Sequence, residues 1–185
     1  MISENEFDKK LKIECLYKNI NRLDFYINTT NSKTAFILAF NSFIFGSILL
    51  KYSIILEKNF GTCELLKFPA SIFLFFVMCS SLVSMYYAFM VVNPFLKSIP
   101  ISSDYHSVIF FGDVSKFKDE NEFLKKMENI DTDKLIEDLE KQFYILSKGL
   151  SIKFNNLKIS IGFLMYGVVS SLGAILALKL LTIIP

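Results

Sequence analysis

Residues 34–56 read TAFILAFNSFIFGSILLKYSIIL, from Thr34 to Leu56. The only charge in this stretch is Lys51, near one end, where its long stem can carry the ammonium to an interface. A helix that crosses a bilayer needs about 20 mostly apolar residues at 1.5 Å of rise each. The stretch meets that demand, and two more like it follow. One is Phe68 to Val92, ending at Asn93-Pro94; the other is Leu157 to Pro185. Pro69 fits the first turn of the second stretch, where a missing N–H costs nothing. Pro94 stops it, because its ring disfavours helical geometry in the residue before it. A short polar connection, Glu57 to Lys67 with Gly61 inside it, makes the first two stretches an antiparallel hairpin. The fold class expected is therefore all-α. It is an integral membrane protein with three transmembrane helices, the hairpin plus a C-terminal span, and a cytosolic helical region.

The remaining residues divide around those spans. Residues 1–33 read as a cytosolic amphipathic helix, with Ser3 and Glu6 as a capping box. Leu16, Ile20, Leu23 and Ile27 form a narrow apolar stripe suited to packing on a neighbour. Residues 34–94 are the hairpin. Residues 95–156 are a cytosolic insert, mostly helical, which opens irregularly around Pro94, Pro100 and Ser102-Ser103-Asp104. Within it, the short apolar run Ser107 to Asp113 is expected as a strand or a buried extended segment. Asp119 with Glu122 caps a short helix to about Asn129. Asp131 opens a long helix that carries Leu135, Leu139, Phe143 or Leu146, Leu150 and Phe154 at helical spacing. No proline or turn cluster separates that helix from the last span, residues 157–185.

Basic residues set the expected orientation. Of the 20 Lys and Arg, six lie in the N-terminal arm and ten in residues 95–158, against Lys58 and Lys67 in the hairpin connection. Positive residues stay cytoplasmic. The N-terminus and residues 95–156 are thus expected in the cytoplasm, and the hairpin tip and Pro185 outside. Met1 to Glu6 is polar and acidic, unlike a signal peptide, so the first span is expected to act as its own insertion signal.

Bulk composition narrows the function. The chain has 185 residues, 52% of them hydrophobic, and a net charge of +2, which leaves no basic field for nucleic acid. Twenty Phe and no Trp leave Tyr52, Tyr86, Tyr87 and Tyr166 to form any interfacial belt. Cys15, Cys63 and Cys79 are odd in number and fit no metal spacing, so all are expected as free thiols. No metal and no catalytic residue is expected: His106 is the only histidine, and no carboxylate or cysteine cluster supports it. No glycine-rich phosphate loop is present.

Small residues recur at helical spacing in every span. Ala35, Ala39, Ser42 and Gly46 lie in the first, Ser80, Ser84 and Ala88 in the second, and Gly167, Ser170, Ala174 and Ala177 in the third. Small side chains let helices approach closely in lipid, so these faces are expected to serve helix packing or a homo-oligomer interface. Asn41, inside the first span, needs a partner on another helix or on its own backbone.

The order of elements resembles the transmembrane effectors of the Pycsar antiphage systems. Asn31-Ser32-Lys33-Thr34-Ala35 leads into the first span, similar to the family's D-x-K-A pattern, with Asn31 standing where an acid is expected. The second span ends in the polar-proline turn Asn93-Pro94. Ser107-Val108-Ile109-Phe110-Phe111-Gly112-Asp113 is similar to the family's S-x-I-F-F-G stretch. A long helix with Asp138-Leu139, Gln142, Leu146 and Lys153 then runs into the last span. The resemblance covers roughly residues 15–180.

It implies a non-enzymatic effector in the bacterial inner membrane. A partner cyclase would make cyclic CMP or cyclic UMP upon phage infection. That nucleotide would be the activating ligand, and loss of membrane integrity would produce abortive infection. Such a ligand has one negative charge and a base face. Lys33, Lys97, Lys116 and Lys153 are candidates to neutralise the phosphate, and Phe110, Phe111 and Tyr144 to stack on the base. The plainer roles are interfacial anchors for the lysines and core packing for the aromatics. Two other functions stay open. One is a constitutive channel or holin-like pore. The other is a membrane adaptor that recruits a soluble partner through the 95–156 region.

Overall fold

The computed structural model describes residues 4–61, 64–94 and 107–182. The elements are helices α1 (Glu4–Phe60), α2 (Glu64–Val92), α3 (Phe111–Val114), α4 (Glu120–Glu128) and α5 (Thr132–Gly162), then a π-helical segment (Phe163–Val169) and α6 (Ser170–Leu181). Among the described residues there is no strand. Three helical stretches are long and apolar enough to cross a membrane: Asn5–Phe60, Glu64–Val92 and Thr132–Leu181.

Several local expectations are met. Asp119 accepts the Glu122 amide at 2.8 Å, and Glu122 returns a bond to the Lys118 amide at 2.9 Å. Together they start α4. Asp131 accepts the Asp133 amide at 2.9 Å and opens α5. α2 stops at Val92, just before Asn93-Pro94.

Others change. The N-terminal helix and the first span are one helix, α1, because nothing between Ser32 and Thr34 breaks the backbone ladder; its only non-helical residue is Lys51. Pro69 lies inside α2 rather than in its first turn, because the helix already begins at Glu64. The Leu65 carbonyl therefore lacks the amide that residue 69 would normally donate. The run Ser107 to Asp113 pairs with no strand; it bends and then closes the helical turn of α3. The expected cap at Ser3, and Cys63, Lys97 and His106, lie outside the described residues.

The chain divides into two compact units. The first combines Met1–Asn28 with Pro94–Ile152. Its fully buried anchor is Leu139, with Val108, Ile136, Ile145 and Leu150 nearly so. On α1 the stripe Leu16, Ile20, Leu23 and Ile27 is half-buried. Lys9 pairs with Asp133 at 2.7 Å and Lys12 with Glu140 at 2.8 Å. The Asp133 carboxylate raises the Lys9 ammonium pKa above its ordinary value. Such exposed pairs set register more than they stabilise.

The second unit combines Thr29–Asn93 with Lys153–Pro185. Asn41 meets Ser84 and Tyr52 meets Ser71, so α1 and α2 run antiparallel. Ser84 meets Ser160, and Ser80 touches Gly167, so the third helix is antiparallel to α2 as well. The buried residues fall into layers. Ile37, Ala88, Val91 and Leu157 form one apolar layer. Ile48, Leu56, Phe60, Ala70, Leu74, Val77, Val168 and Ile175 form a longer one. The outer surface stays apolar: Phe36 is 74% exposed, Phe43 73%, Phe75 65% and Phe89 63%.

Candidate functional site

Between the two apolar layers of the second unit lies a polar one. Asn41 donates to the Ile37 carbonyl and to Ser84 Oγ, both at 3.0 Å. The Ser81 hydroxyl donates to Asn41, 3.0 Å from Oδ1. Ser84 Oγ reaches the Ser160 carbonyl at 2.9 Å, and Ser160 Oγ donates to the Ser84 carbonyl at 2.8 Å. All four side chains are buried. Each span supplies at least one of them, so the layer joins α1, α2 and α5. Among the described residues, no buried side-chain nitrogen or oxygen is left without a partner. An amide or hydroxyl in hydrocarbon is costly unless paired, and this layer pairs them across helices. Asn41 thus finds both kinds of partner that its position demands.

A second polar centre sits at the end of α2. The Lys153 ammonium, on α5, donates to the Val91 carbonyl, to the Asn93 carbonyl at 3.3 Å and to Asn31 Oδ1 at 3.3 Å. Its side chain is buried. The last turn of α2 holds no basic residue of its own. Lys153 therefore supplies the cation that the carbonyl end of α2 favours. Asn31 on α1 completes a three-helix clasp.

In the first unit, Asp138 holds the 107–113 run. Its Oδ2 accepts the Ser107 hydroxyl at 3.1 Å and the Val108 amide at 2.9 Å. Ser107 Oγ in turn accepts the Ile109 and Phe110 amides, at 3.1 and 2.9 Å. Asp113, also buried, pairs with Lys116 at 2.6 Å. A short apolar segment that lacks a ladder thus satisfies its amides on the side chains of Asp138, Ser107 and Asp113. A Cβ at Gly112 would lie 2.7 Å from the Phe110 ring, which would have to shift to admit it.

The candidate ligand residues are placed as follows. Phe110 and Phe111 have ring centroids 5.0 Å apart, with Phe111 exposed and Phe110 half-buried. Lys116 is exposed three residues from Asp113. Tyr144 is exposed, and the Lys148 ammonium stands 5.7 Å from its ring centroid. Lys33 is exposed on α1. Lys153 is committed to protein oxygens. Phe110, Phe111 and Lys116 lie close together in sequence on and just after the segment that Asp138 holds, and Lys116 pairs with Asp113. A groove of about 800 Å³ in the first unit is lined by Phe7, Lys9, Lys10 and Leu11 among others, and by none of the candidate ligand residues. Among the described residues, no group of three or more His, Cys, Asp or Glu is placed to hold a metal.

The small faces divide unevenly. Ser80, Ser84 and Ala88 are buried, as is Gly167. A Cβ on Gly167 would come 2.4 Å from Ser80 Cβ, so this is a backbone approach that only glycine permits. Gly46 and Ala174 are half-buried, while Ala35, Ala39, Ser42, Ser170 and Ala177 are exposed.

Residues 15–181 match the Pycsar effector protein domain. The chain belongs to the Pycsar effector family. No curated protein and no solved structure matches it. Membership supports an antiphage effector role, in a class of effectors that are non-enzymatic. Together with the three apolar helices it supports a membrane protein. The effector's family motifs now have structural roles. The stretch Ser107 to Asp113 is the clamped loop, Asp138 is its clamp, and Lys153 is the clasp. In the sequence Asp138 stands out only by resemblance, and Ser81, Ser160 and the carbonyl end of α2 do not stand out. The available signal was polar residues inside apolar runs at three- and four-residue spacing.

Proposed function

We propose that this effector is switched on by a cyclic pyrimidine mononucleotide, cyclic CMP or cyclic UMP, and then destroys the integrity of the bacterial inner membrane. The observation that carries the reading is the satisfied polar layer sealed between apolar layers of three helices long enough to span a bilayer. In this arrangement Asn41, Ser81, Ser84 and Ser160 bond one another, and water has no reason to enter. Parting the helices would expose the same groups, which would line an aqueous path at little cost. A bundle held shut by hydrogen bonds worth roughly 1 kcal/mol each is a bundle that a ligand can open. A ligand shifts such an equilibrium only by its differential affinity for the two states.

The first unit is the proposed nucleotide sensor, with Phe110 and Phe111 for the base and Lys116 for the phosphate. α1 and α5 each contribute residues to both units, which offers a continuous helix for transmission. Lys33, Lys97 and Tyr144 remain ligand candidates. The N-terminus and residues 95–156 are proposed as cytoplasmic, where a partner cyclase would deliver the nucleotide. The exposed Ala35, Ala39 and Ser42 are proposed as a face for a second copy.

Dye leakage from proteoliposomes tests the function. Leakage that begins on adding cyclic CMP or cyclic UMP is the expected result. If neither nucleotide changes leakage at any concentration, gating is wrong. Leakage without nucleotide would instead indicate a constitutive pore. Binding of a soluble partner with no leakage would indicate an adaptor.

A further inference from the structure

Tyr166 projects from the bundle at an unexpected depth. It is 83% exposed, on the π-helical segment of the third span. Its neighbour Gly167 lies against Ser80 of α2. Ser80 is midway between Lys67 and Asn93, the polar residues that flank the apolar run of the second span. Tyr166 is therefore central in that run, too deep for an interfacial belt, where a tyrosine hydroxyl reaches water. Among the described residues, its hydroxyl has no hydrogen-bond partner.

Beside this ring the bundle surface is hollow. A space of about 420 Å³ opens between α2 and the third helix, lined by Phe76, Ser80, Gly162 and Gly167 among others, and bordered by Tyr166 itself. Glycine leaves the room: a Cβ at Gly162 would meet nothing within 4 Å. The Ser80 side chain is only 3% exposed, yet among the described residues its hydroxyl has no partner either. No enclosed side-chain oxygen among them is left unpaired, so the Ser80 oxygen must open onto the hollow that it lines. One unpaired hydroxyl thus sits in a recess, and another projects next to it at the same depth.

An occupant of the recess must bring an apolar body and one hydrogen-bonding group to the middle of a bilayer. A lipid acyl chain has the first and lacks the second. A second copy of this chain has both, in Tyr166. Copies related by an axis along the membrane normal hold every residue at the same depth, so the Tyr166 of one meets the Ser80 of the other. The surface is self-complementary, a ring beside a recess, as an isologous contact requires. We propose that two copies of the effector associate through α2 and the third span, each placing its Tyr166 ring in the other's hollow and bonding the other's Ser80. Each such contact fills the space beside Gly162 and pairs two hydroxyls that hydrocarbon would otherwise leave unpaired. The surface is separate from the α1 face of Ala35, Ala39 and Ser42. The inference rests on the three helices spanning a bilayer, and it does not depend on a nucleotide.

The test counts copies of the full chain by single-molecule photobleaching in phosphatidylcholine–phosphatidylglycerol vesicles, without nucleotide, over a range of protein-to-lipid ratios. Only protein that floats with the vesicles is counted. The unmodified chain should show a dimer population that grows with density. Tyr166→Phe and Ser80→Ala each remove the same bond, twice per dimer, and each should weaken association about tenfold. Together they should weaken it no further than either does alone. Gly162→Leu fills the recess, where a single copy has room for it, and should abolish the dimer. Tyr166→Phe changes only an exposed hydroxyl, so it covers the case in which Gly162→Leu fails to fold. The proposal is overturned if the chain stays monomeric at every density or if the dimer survives Gly162→Leu. It is equally overturned if Tyr166→Phe and Ser80→Ala leave association unchanged or act additively, which would mean that another face carries it. Protein that does not float overturns the spanning on which the inference rests. Leakage on adding cyclic CMP or cyclic UMP is read separately, so gating and dimerisation can each fail while the other stands.

Discussion

Lys153 is the side chain on which three helices converge. Its partners are two main-chain carbonyls of the α2 end and one side-chain amide oxygen, and none is a carboxylate. Lys153→Met would leave the buried Val91 carbonyl without that donor. A hydrogen bond to a charged group contributes about 1.5–3 kcal/mol, so the variant should lose about 2 kcal/mol in reversible unfolding from detergent micelles. Asn31→Asp should act in the opposite direction, by giving the ammonium a counter-charge where it now has an amide. That gain should vanish in the Lys153→Met background, and additive effects would show that the two residues do not interact. Ser84→Ala removes a hydroxyl shared by Asn41 and Ser160. Interhelical bonds of this type contribute about 0.6 kcal/mol on average and at most about 1.7, so a small, measurable loss is expected. Gly167→Val should cost more than Ser84→Ala, because its Cβ has no room beside Ser80.

The loop from Ser107 to Asp113 is held by one carboxylate more than by its own sequence preference. Asp138→Ala should expose the Val108 amide to hydrogen exchange and, through loss of the Ser107 anchor, the amides of Ile109 and Phe110. Unchanged protection of those three amides would contradict the clamp. Asp119→Ala should cost about 1 kcal/mol, confined to α4, as loss of an N-cap does. These two sites differ in how legible they were. The caps at Asp119 and Asp131 depend on residues two or three positions away, so their pattern appears in the sequence. The clamp joins residues 31 positions apart, and a short apolar run carries no period that separates strand from turn. The π segment was equally hidden. No residue type marks an i→i+5 ladder.

Membrane orientation admits a direct test. An impermeant thiol reagent added outside intact cells should label Cys63 in the hairpin connection and leave Cys15 unlabelled. Labelling of Cys15 alone would invert the proposed topology, in which the lysine-rich arm and residues 95–156 face the cytoplasm by the positive-inside rule. The number and length of the apolar helices were readable at once. Span length and absence of charge are properties of consecutive residues, and lipid leaves the backbone no alternative to a helix. The helix runs on unbroken through Ser32 to Thr34, because a change from polar to apolar composition does not break a hydrogen-bond ladder. Which small residues would be buried could not be read from spacing. Ala35, Ala39 and Ser42 share the pattern of Ser80, Ser84 and Ala88, yet only the second set lies inside. Local composition was therefore enough for the helices and their caps, since those interactions close within a turn or two. The clasp at Lys153, the polar layer and the hollow beside Tyr166 had to await the packed bundle, because each is formed among helices whose rotation about their own axes no single stretch of sequence specifies.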